Sequence, residues 1–253
     1  MKTTGNTILL TGGNSGIGRA LAEQFHALGN RVIITGRRRE VLDEVTRANP
    51  GMQSAVLDVR DAQQIAAFAQ EIVQRHPTLN VLINNAGIMK PENLSTSPVS
   101  LTDAEATIET NLLAPIRMTA ALLPHFRSLP SATVMTVSSG LAFIPLALTP
   151  TYSATKAAIH SYTESLRIQL RKSNVEVLEL IPPYVQTELM GSRQASDPHA
   201  MPLGEFITEV MQLLRDSPDA KEIRVKRVLP LRFSAEQGEA GYRKQLDGLN
   251  PMF

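Results

Sequence analysis

Ile8-Leu9-Leu10-Thr11-Gly12-Gly13-Asn14-Ser15-Gly16-Ile17-Gly18 joins the chain's first apolar run to its first glycine-rich turn. A helical pattern follows at Ala20, Leu21, Phe25 and Leu28, and Gly29 supplies a C-cap. Glycines in such a turn let the backbone bend sharply and come close to a pyrophosphate, which then rests on the unpaired N–H groups of the helix N-terminus. A glycine-rich turn alone is weak evidence. Between the first strand and the first helix of an alternating chain it decides the fold.

The alternation continues outward from that turn. Val32-Ile33-Ile34 predicts a second strand, and residues 40–48 a second helix closed by Asn49-Pro50-Gly51. Ala55-Val56-Leu57 predicts a third strand, 62–73 a third helix stopped before Pro77, and Val81-Leu82-Ile83 a fourth strand. A long helical region follows over 101–126, with Pro115 as a kink. Residues 134–137 predict a fifth strand, 153–171 a helix and 175–181 a sixth strand. Beyond Pro182 the order weakens: a loop over 183–203, a helix over 205–214, a last strand over 223–228 and a helical tail over 235–249. Short apolar strands alternating with helices predict an α/β protein with a doubly wound, Rossmann-type parallel sheet. No repeat or linker divides the chain, so residues 1–253 are read as one domain.

Composition narrows the function. The 253 residues are 43% hydrophobic and 19% charged, with a formal net charge of +1. That balance gives no field for nucleic acid or an anionic membrane. There is no cysteine, which excludes disulfides, thiolate metal sites and thiol catalysis. His26, His76, His125, His160 and His199 have no metal-ligand spacing and read as structural or surface residues, so no metal is expected. No signal peptide or membrane span is legible, which points to a cytoplasmic protein.

Thr151-Tyr152-Ser153-Ala154-Thr155-Lys156 carries the chemistry. On a helix, Tyr152 and Lys156 share one face a turn apart. A phenol has an ordinary pKa near ~10, too high for efficient proton exchange at neutral pH. An ammonium about 4 Å away, at an effective dielectric of about 20, favours the phenolate by ~4 kcal/mol, or ~3 pKa units. Asn84-Asn85-Ala86-Gly87 follows the fourth strand, at the edge where such sheets bind ligands. Asn111, a poor helix former, stands inside the long helix.

Together these residues resemble the short-chain dehydrogenase/reductases, over roughly residues 5–190. The resemblance rests on T-G-x-x-x-G-I-G at Thr11–Gly18, Asp58, N-N-A-G at Asn84–Gly87, Asn111, Ser139 and Y-x-x-x-K at Tyr152–Lys156. The spacing from Ser139 to Tyr152 favours Ser139 over Ser138. Within the family, the chain is similar to a bacterial subset labelled for teichoic acid D-alanylation.

The resemblance implies Tyr152 as acid/base, Ser139 as hydrogen-bond donor to the substrate oxygen, and Lys156 holding the nicotinamide ribose and lowering the tyrosine pKa. It implies that Asn111 anchors a water linking Lys156 to solvent. Cofactor contacts are expected from Gly12, Asn14, Ser15, Gly16, Ile17 and Gly18, and from Asp58, Val59, Asn85, Ala86 and Gly87. Tyr152, Lys156, Val185 and Thr187 are expected to join them. The implied cofactor is NADP(H) rather than NAD(H). Where NAD-dependent relatives carry an acid after the second strand, this chain has Gly36, followed by Arg37 and Arg38, whose guanidinium groups suit a 2′-phosphate.

The implied activity is hydride exchange with a small to medium, fairly apolar carbonyl or alcohol, in a homo-oligomer (dimer or tetramer). Leu141, Phe143, Ile144, Leu146, Leu148, Tyr184, Leu189 and Met190 are candidate substrate-site residues, and half of them are expected in the core. Arg193 and His199 are the cations of the 183–203 segment. A non-catalytic dinucleotide sensor on the same fold is the alternative, and an epimerase or dehydratase is disfavoured by chain length. Two stretches depart from the family: Pro182-Pro183 replaces the usual Pro-Gly, and the tail from about 220 is divergent. Its basic segment Lys221–Val228 is expected to be a solvated strand edge.

Overall fold

The computed structural model describes residues 1–251. Seven parallel strands form one sheet: β1 (Thr7–Thr11), β2 (Arg31–Gly36), β3 (Gln53–Val56), β4 (Leu79–Asn84), β5 (Ala132–Val137), β6 (Val175–Ile181) and β7 (Glu222–Arg224). Their order is β3-β2-β1-β4-β5-β6-β7, the doubly wound arrangement expected from the alternation. The winding reverses between β1 and β4, which opens a crevice beyond their carboxyl ends.

Successive β1 side chains point to opposite faces, and both faces are covered. On one face Ile8, Leu10, Val32 and Ile34 pack with α1 (Gly16–Ala27) and α8 (Leu203–Asp216), through Leu21, Phe25, Phe206 and Val210. On the other, Leu9, Ile33, Leu82 and Val134 meet α3 (Ala62–Arg75), α5 (Ala114–Ser128) and α6 (Pro150–Leu170), through Ile65, Phe68, Leu122, Phe126 and Leu166. Each of the fully buried side chains among these contributes ~1.5–3 kcal/mol. Between β2 and β3 runs α2 (Arg39–Ala48).

The long helical region is interrupted, and Pro115 accounts for the break. α4 (Thr102–Ile108) passes through a π-helical turn at Glu109–Leu113 before α5 begins. Pro115 has no N–H to give the carbonyl of Asn111, so the ladder widens there, with Ala114 N–H reaching back to Glu109 O.

The tail differs from its sequence pattern. Strand β7 ends at Arg224, and Lys226–Val228 is a 3₁₀ turn. The basic segment is only partly solvated, because Ile223, Val225 and Val228 are buried in the core. A short α7 (Ser192–Ala195) lies within the 183–203 segment, α9 (Leu229–Arg232) was not signalled by the sequence, and α10 (Gly238–Leu249) follows. Among the described residues, no helix is long and apolar enough to cross a membrane.

Candidate active site

A cavity of about 810 Å³ opens at the carboxyl ends of β1, β4 and β5, beside the switch point. Every cofactor residue expected from the sequence lines it: Gly12, Asn14, Ser15, Gly16, Ile17, Gly18, Arg37, Arg38, Asp58, Val59, Asn85, Ala86, Gly87, Tyr152, Lys156, Val185 and Thr187. The cradle depends on missing side chains. Gly12 and Gly16 have φ of +68° and +53°, and a Cβ on Gly12 would stand 2.8 Å from Ala86 Cα. At the N-terminus of α1, Ser15 makes no side-chain cap and no acid stands in the first turn, so these amides are left for an anionic ligand.

The two ligand turns are sewn together. Thr11 Oγ1 accepts from the amides of Asn85 and Ala86 at 3.0 and 3.1 Å, and Asn85 Nδ2 donates to Thr11 O and Gly12 O. Gly36 closes β2, where a Cβ would lie 2.8 Å from Asn14 Oδ1, so a side chain here would have to displace Asn14. Arg37 and Arg38 follow at the cavity wall, while Arg39 is exposed in α2 and does not line it. Asp58 is paired with Arg60 at 3.0 Å, which holds its carboxyl below the usual range, with a smaller contribution from Arg37. These donors and this open backbone fit a nicotinamide dinucleotide.

Ser139, Tyr152 and Lys156 line the same cavity. Tyr152 and Lys156 project from α6 one turn apart, as their spacing requires. Burial pushes the Tyr152 phenol up to about 12, against the opposing pull of the Ser139 hydroxyl. Burial also pulls the Lys156 ammonium down to about 8, partly offset by Glu179. The ammonium donates to Val137 O at 2.8 Å and lies 5.5 Å from the Tyr152 ring centre. The sequence reading set it beside the phenol; in the structure the Val137 carbonyl accepts its hydrogen bond. Ser139 Oγ accepts from Leu141 N–H at 3.1 Å, and its own hydrogen is directed at the Tyr152 side of the site.

Asn111 is buried, and its side chain is fully engaged. Its Oδ1 accepts from Ile88 N–H, and its Nδ2 donates to Ile88 O and Thr155 Oγ1. The backbone carbonyl of Asn111 receives no N–H from Pro115, which stands four residues on. Gln194 Nε2 donates to Val185 O and Thr187 Oγ1, fixing the segment that faces Gly16. The Pro182 carbonyl accepts from Gly140 N–H at 2.9 Å, tying the Pro-Pro turn to the residue after Ser139.

Of the apolar candidates, Leu141, Leu146, Leu148, Tyr184, Leu189 and Met190 line the cavity. Ile144 is buried in the core, and Phe143 packs on His160 and Arg232. Neither Arg193 nor His199 reaches the wall; Lys90 is a further cation there beside Arg37, Arg38 and Lys156, and no motif marked it. Also missed were Leu231 and Leu249 from the tail, because their approach depends on how the tail folds back. Glu92 was missed too: its carboxylate accepts from the N–H and hydroxyl of Thr151, at 2.9 and 2.7 Å, and caps the helix that carries Tyr152.

One histidine read as ordinary has a special neighbour. His160 stands one turn beyond Lys156, and its Nδ1 is 2.8 Å from the fully buried carboxylate of Glu179. Glu179 on β6 lies directly opposite Glu222 on β7, a like-charge pairing that is unfavourable on its own. Glu222 is bonded by both arms of Arg232 at 2.9 and 2.8 Å. His160, Glu179 and Glu222 offer atoms within 4.8 Å of one another, yet each carboxylate already has a cationic partner. A second depression, of about 530 Å³, lies at the opposite end of the strands around Asn6, Arg31, Thr78 and Asn80. Its amides are spent on one another, since Asn6 binds Asn30 and Asn80.

Comparison with known proteins agrees with this geometry. The short chain dehydrogenase family profile matches residues 6–198. The chain is 44% identical over 189 residues to "Uncharacterized oxidoreductase DltE" of Bacillus subtilis (strain 168), covering 75% of each, in keeping with the bacterial subset it resembles. It is 34% identical over 184 residues to "NADPH-dependent 1-acyldihydroxyacetone phosphate reductase" of Schizosaccharomyces pombe, covering 72% of this chain and 60% of that one. A short chain dehydrogenase from Burkholderia cenocepacia J2315, solved in complex with NADP, superposes with a TM-score of 0.82 over 97% of this chain and 99% of its own, at 24% identity. The chain belongs to the short-chain dehydrogenase/reductase family of oxidoreductases.

Proposed function

We propose that the protein is an NADP(H)-dependent carbonyl reductase or alcohol dehydrogenase with a small to medium, fairly apolar substrate, and that Tyr152 is its general acid/base. The observation that carries this is the convergence of Arg37, Arg38, the glycine cradle, Ser139, Tyr152 and Lys156 on one cavity. Gly12 to Gly18 would hold the pyrophosphate, Arg37 and Arg38 the 2′-phosphate, and Lys156 the nicotinamide ribose. The bound cofactor supplies the hydride. The chain's own residues manage the charge that reduction leaves on the substrate oxygen. Ser139 donates its hydroxyl hydrogen to that oxygen, and Tyr152 gives up the phenolic proton.

A phenol pushed up to about 12 is protonated at neutral pH, so the resting site is loaded for reduction. Lys156 at about 8 remains largely charged there and favours the phenolate that the step leaves behind. The Asn111 carbonyl is the reading's anchor for the water that returns a proton. A homo-oligomeric assembly and a cytoplasmic location belong to the same reading.

The apolar wall of Leu141, Leu146, Leu148, Leu189 and Met190 supports the substrate class. The S. pombe relative is named for a substrate with an acyl group and a phosphate. Here the leucines would suit the first and Lys90 the second. A non-catalytic sensor is less well supported, since sensing requires no Ser139–Tyr152 pair. A panel of aliphatic and aryl ketones and aldehydes, followed by NADPH consumption, tests the reading. Turnover that disappears in Tyr152→Phe upholds it, and tight NADPH binding without turnover of any carbonyl would favour the sensor.

A further inference from the structure

The divergent tail returns to the active site of its own chain. α9 packs over the turn that follows Ser139: a Cβ on Gly140 would stand 2.7 Å from Leu231 Cδ1 and 3.0 Å from Val228 Cγ2. Glycine at 140 is thus what lets Leu231 lie against the backbone beside the catalytic hydroxyl. The ion pair of Arg232 with Glu222 pins α9 to β7. α10 then runs back with no fully buried residue of its own, so its place is set largely at its ends. At the far end, Asn250 Oδ1 accepts from Ala147 N–H at 2.6 Å, and Asn250 Nδ2 donates to Pro145 O at 3.0 Å. This clamp grips the loop whose Leu146 and Leu148 line the cavity, and it delivers the adjacent Leu249 to the same wall. The loop is in turn fixed to the catalytic helix, because Leu146 N–H donates to Ser153 Oγ at 3.2 Å.

We infer that Leu231 and Leu249 are specificity-determining residues that receive the non-reacting apolar arm of the carbonyl substrate, with Asn250 as the residue that positions Leu249. This rests on the carbonyl-reductase reading and adds to it the part of the chain that selects the substrate. Leu146, Leu148, Leu249 and Leu231 line the same cavity, the Asn250 clamp tying Leu249 to the loop of the first two and Leu231 lying against Gly140 beside Ser139. Such a wall distinguishes alkyl arms by length and bulk, where each methylene changes discrimination by about tenfold or more. Shortening Leu249 lengthens the slot, and enlarging it closes the slot.

The experiment uses the full chain with Leu249→Ala, Leu249→Phe and Asn250→Ala. One readout is kcat/KM for a series of alkan-2-ones of increasing length with NADPH. The other is calorimetric affinity of the protein–NADPH complex for N-alkylacetamides, carbonyl compounds that the enzyme would not reduce. The expected result is that Leu249→Ala moves the preferred chain length upward, with the long-to-short ratio changed about fivefold or more, and that Leu249→Phe moves it downward. Asn250→Ala should blunt the length preference, chiefly through KM, while NADPH affinity stays constant. Unchanged length preference in all three folded variants, by both readouts, overturns the inference. A wild-type protein that reduces none of the ketones, yet shows the shift in acetamide binding, would sink the reductase reading and leave this wall in place. Should Leu249→Ala lower stability, Leu249→Met and Leu249→Phe still report on the slot through the acetamide series.

Discussion

Replacing Arg37 by alanine should weaken NADPH and leave NADH nearly untouched. Arg37 follows Gly36 at the end of β2, and Arg38 is the N-cap residue of α2, both on the cavity wall. A charge-assisted hydrogen bond contributes ~1.5–3 kcal/mol. Arg37 is exposed, so screening by water places its contact at the lower end of that range. A loss of ~1.5 kcal/mol is about tenfold in affinity. Arg38 remains in the single variant, so some preference for NADPH should survive, and the double variant should erase it. Screening shortens to about 3 Å near 1 M salt, so the NADPH advantage of the wild type should shrink as salt is raised.

The complementary change, Gly36→Asp, should hurt twice. Its Cβ would meet Asn14 Oδ1 at 2.8 Å, and its carboxylate would repel a 2′-phosphate. The assay is kcat/KM for each cofactor at a fixed carbonyl concentration, at low and high salt, with binding titrations alongside. A wild-type preference for NADH, or equal losses for both cofactors in Arg37→Ala, would refute the argument.

Tyr152→Phe should lower kcat by at least ~10²-fold and leave NADPH affinity within about twofold, because the hydroxyl acts only in the chemical step; a rate above a tenth of wild type would remove Tyr152 from that role. In the wild type, reduction should decline as pH rises through about 8, where Lys156 gives up its proton. Lys156→Ala should remove that limb along with most activity and NADPH affinity, and an unchanged profile would contradict the role given to the ammonium. Glu179 holds the His160 pKa above its ordinary value, so the pair stabilises the fold fully below about 6.5 and less as pH rises through the higher folded-state value. His160→Gln should therefore cost the most stability at mildly acidic pH, ~1–3 kcal/mol, read as a lowered Tm, and the gap should close in alkaline buffer; a gap that widens with pH would refute the assignment.

What the sequence could and could not reveal follows from how far each feature reaches along the chain. The glycine turn at 12–18, the Tyr152–Lys156 spacing and the arginines after Gly36 each act within about a helical turn, so their chemistry is legible from neighbours alone. All of them fall on one cavity because the strand order brings the ends of β1, β4 and β5 together. Features set by pairing between distant segments left no local signal. Glu179 faces Glu222 only through the β6–β7 register, and Leu249 reaches the cavity wall only through the hold of Asn250 on residues 145 and 147. Pro115 was visible as a kink, yet its consequence, the π-helical turn at Glu109–Leu113, was not, nor was the engagement of the Asn111 side chain by Ile88 and Thr155. Burial has the largest effect on the chemistry. From spacing alone, Lys156 should draw the phenol towards neutral pH. In the structure both groups are desolvated, the ammonium is turned to the Val137 carbonyl, and the phenol is held at about 12. Under the proposed function, these two side chains would serve as a proton donor for a developing negative charge, rather than as a base already poised at rest.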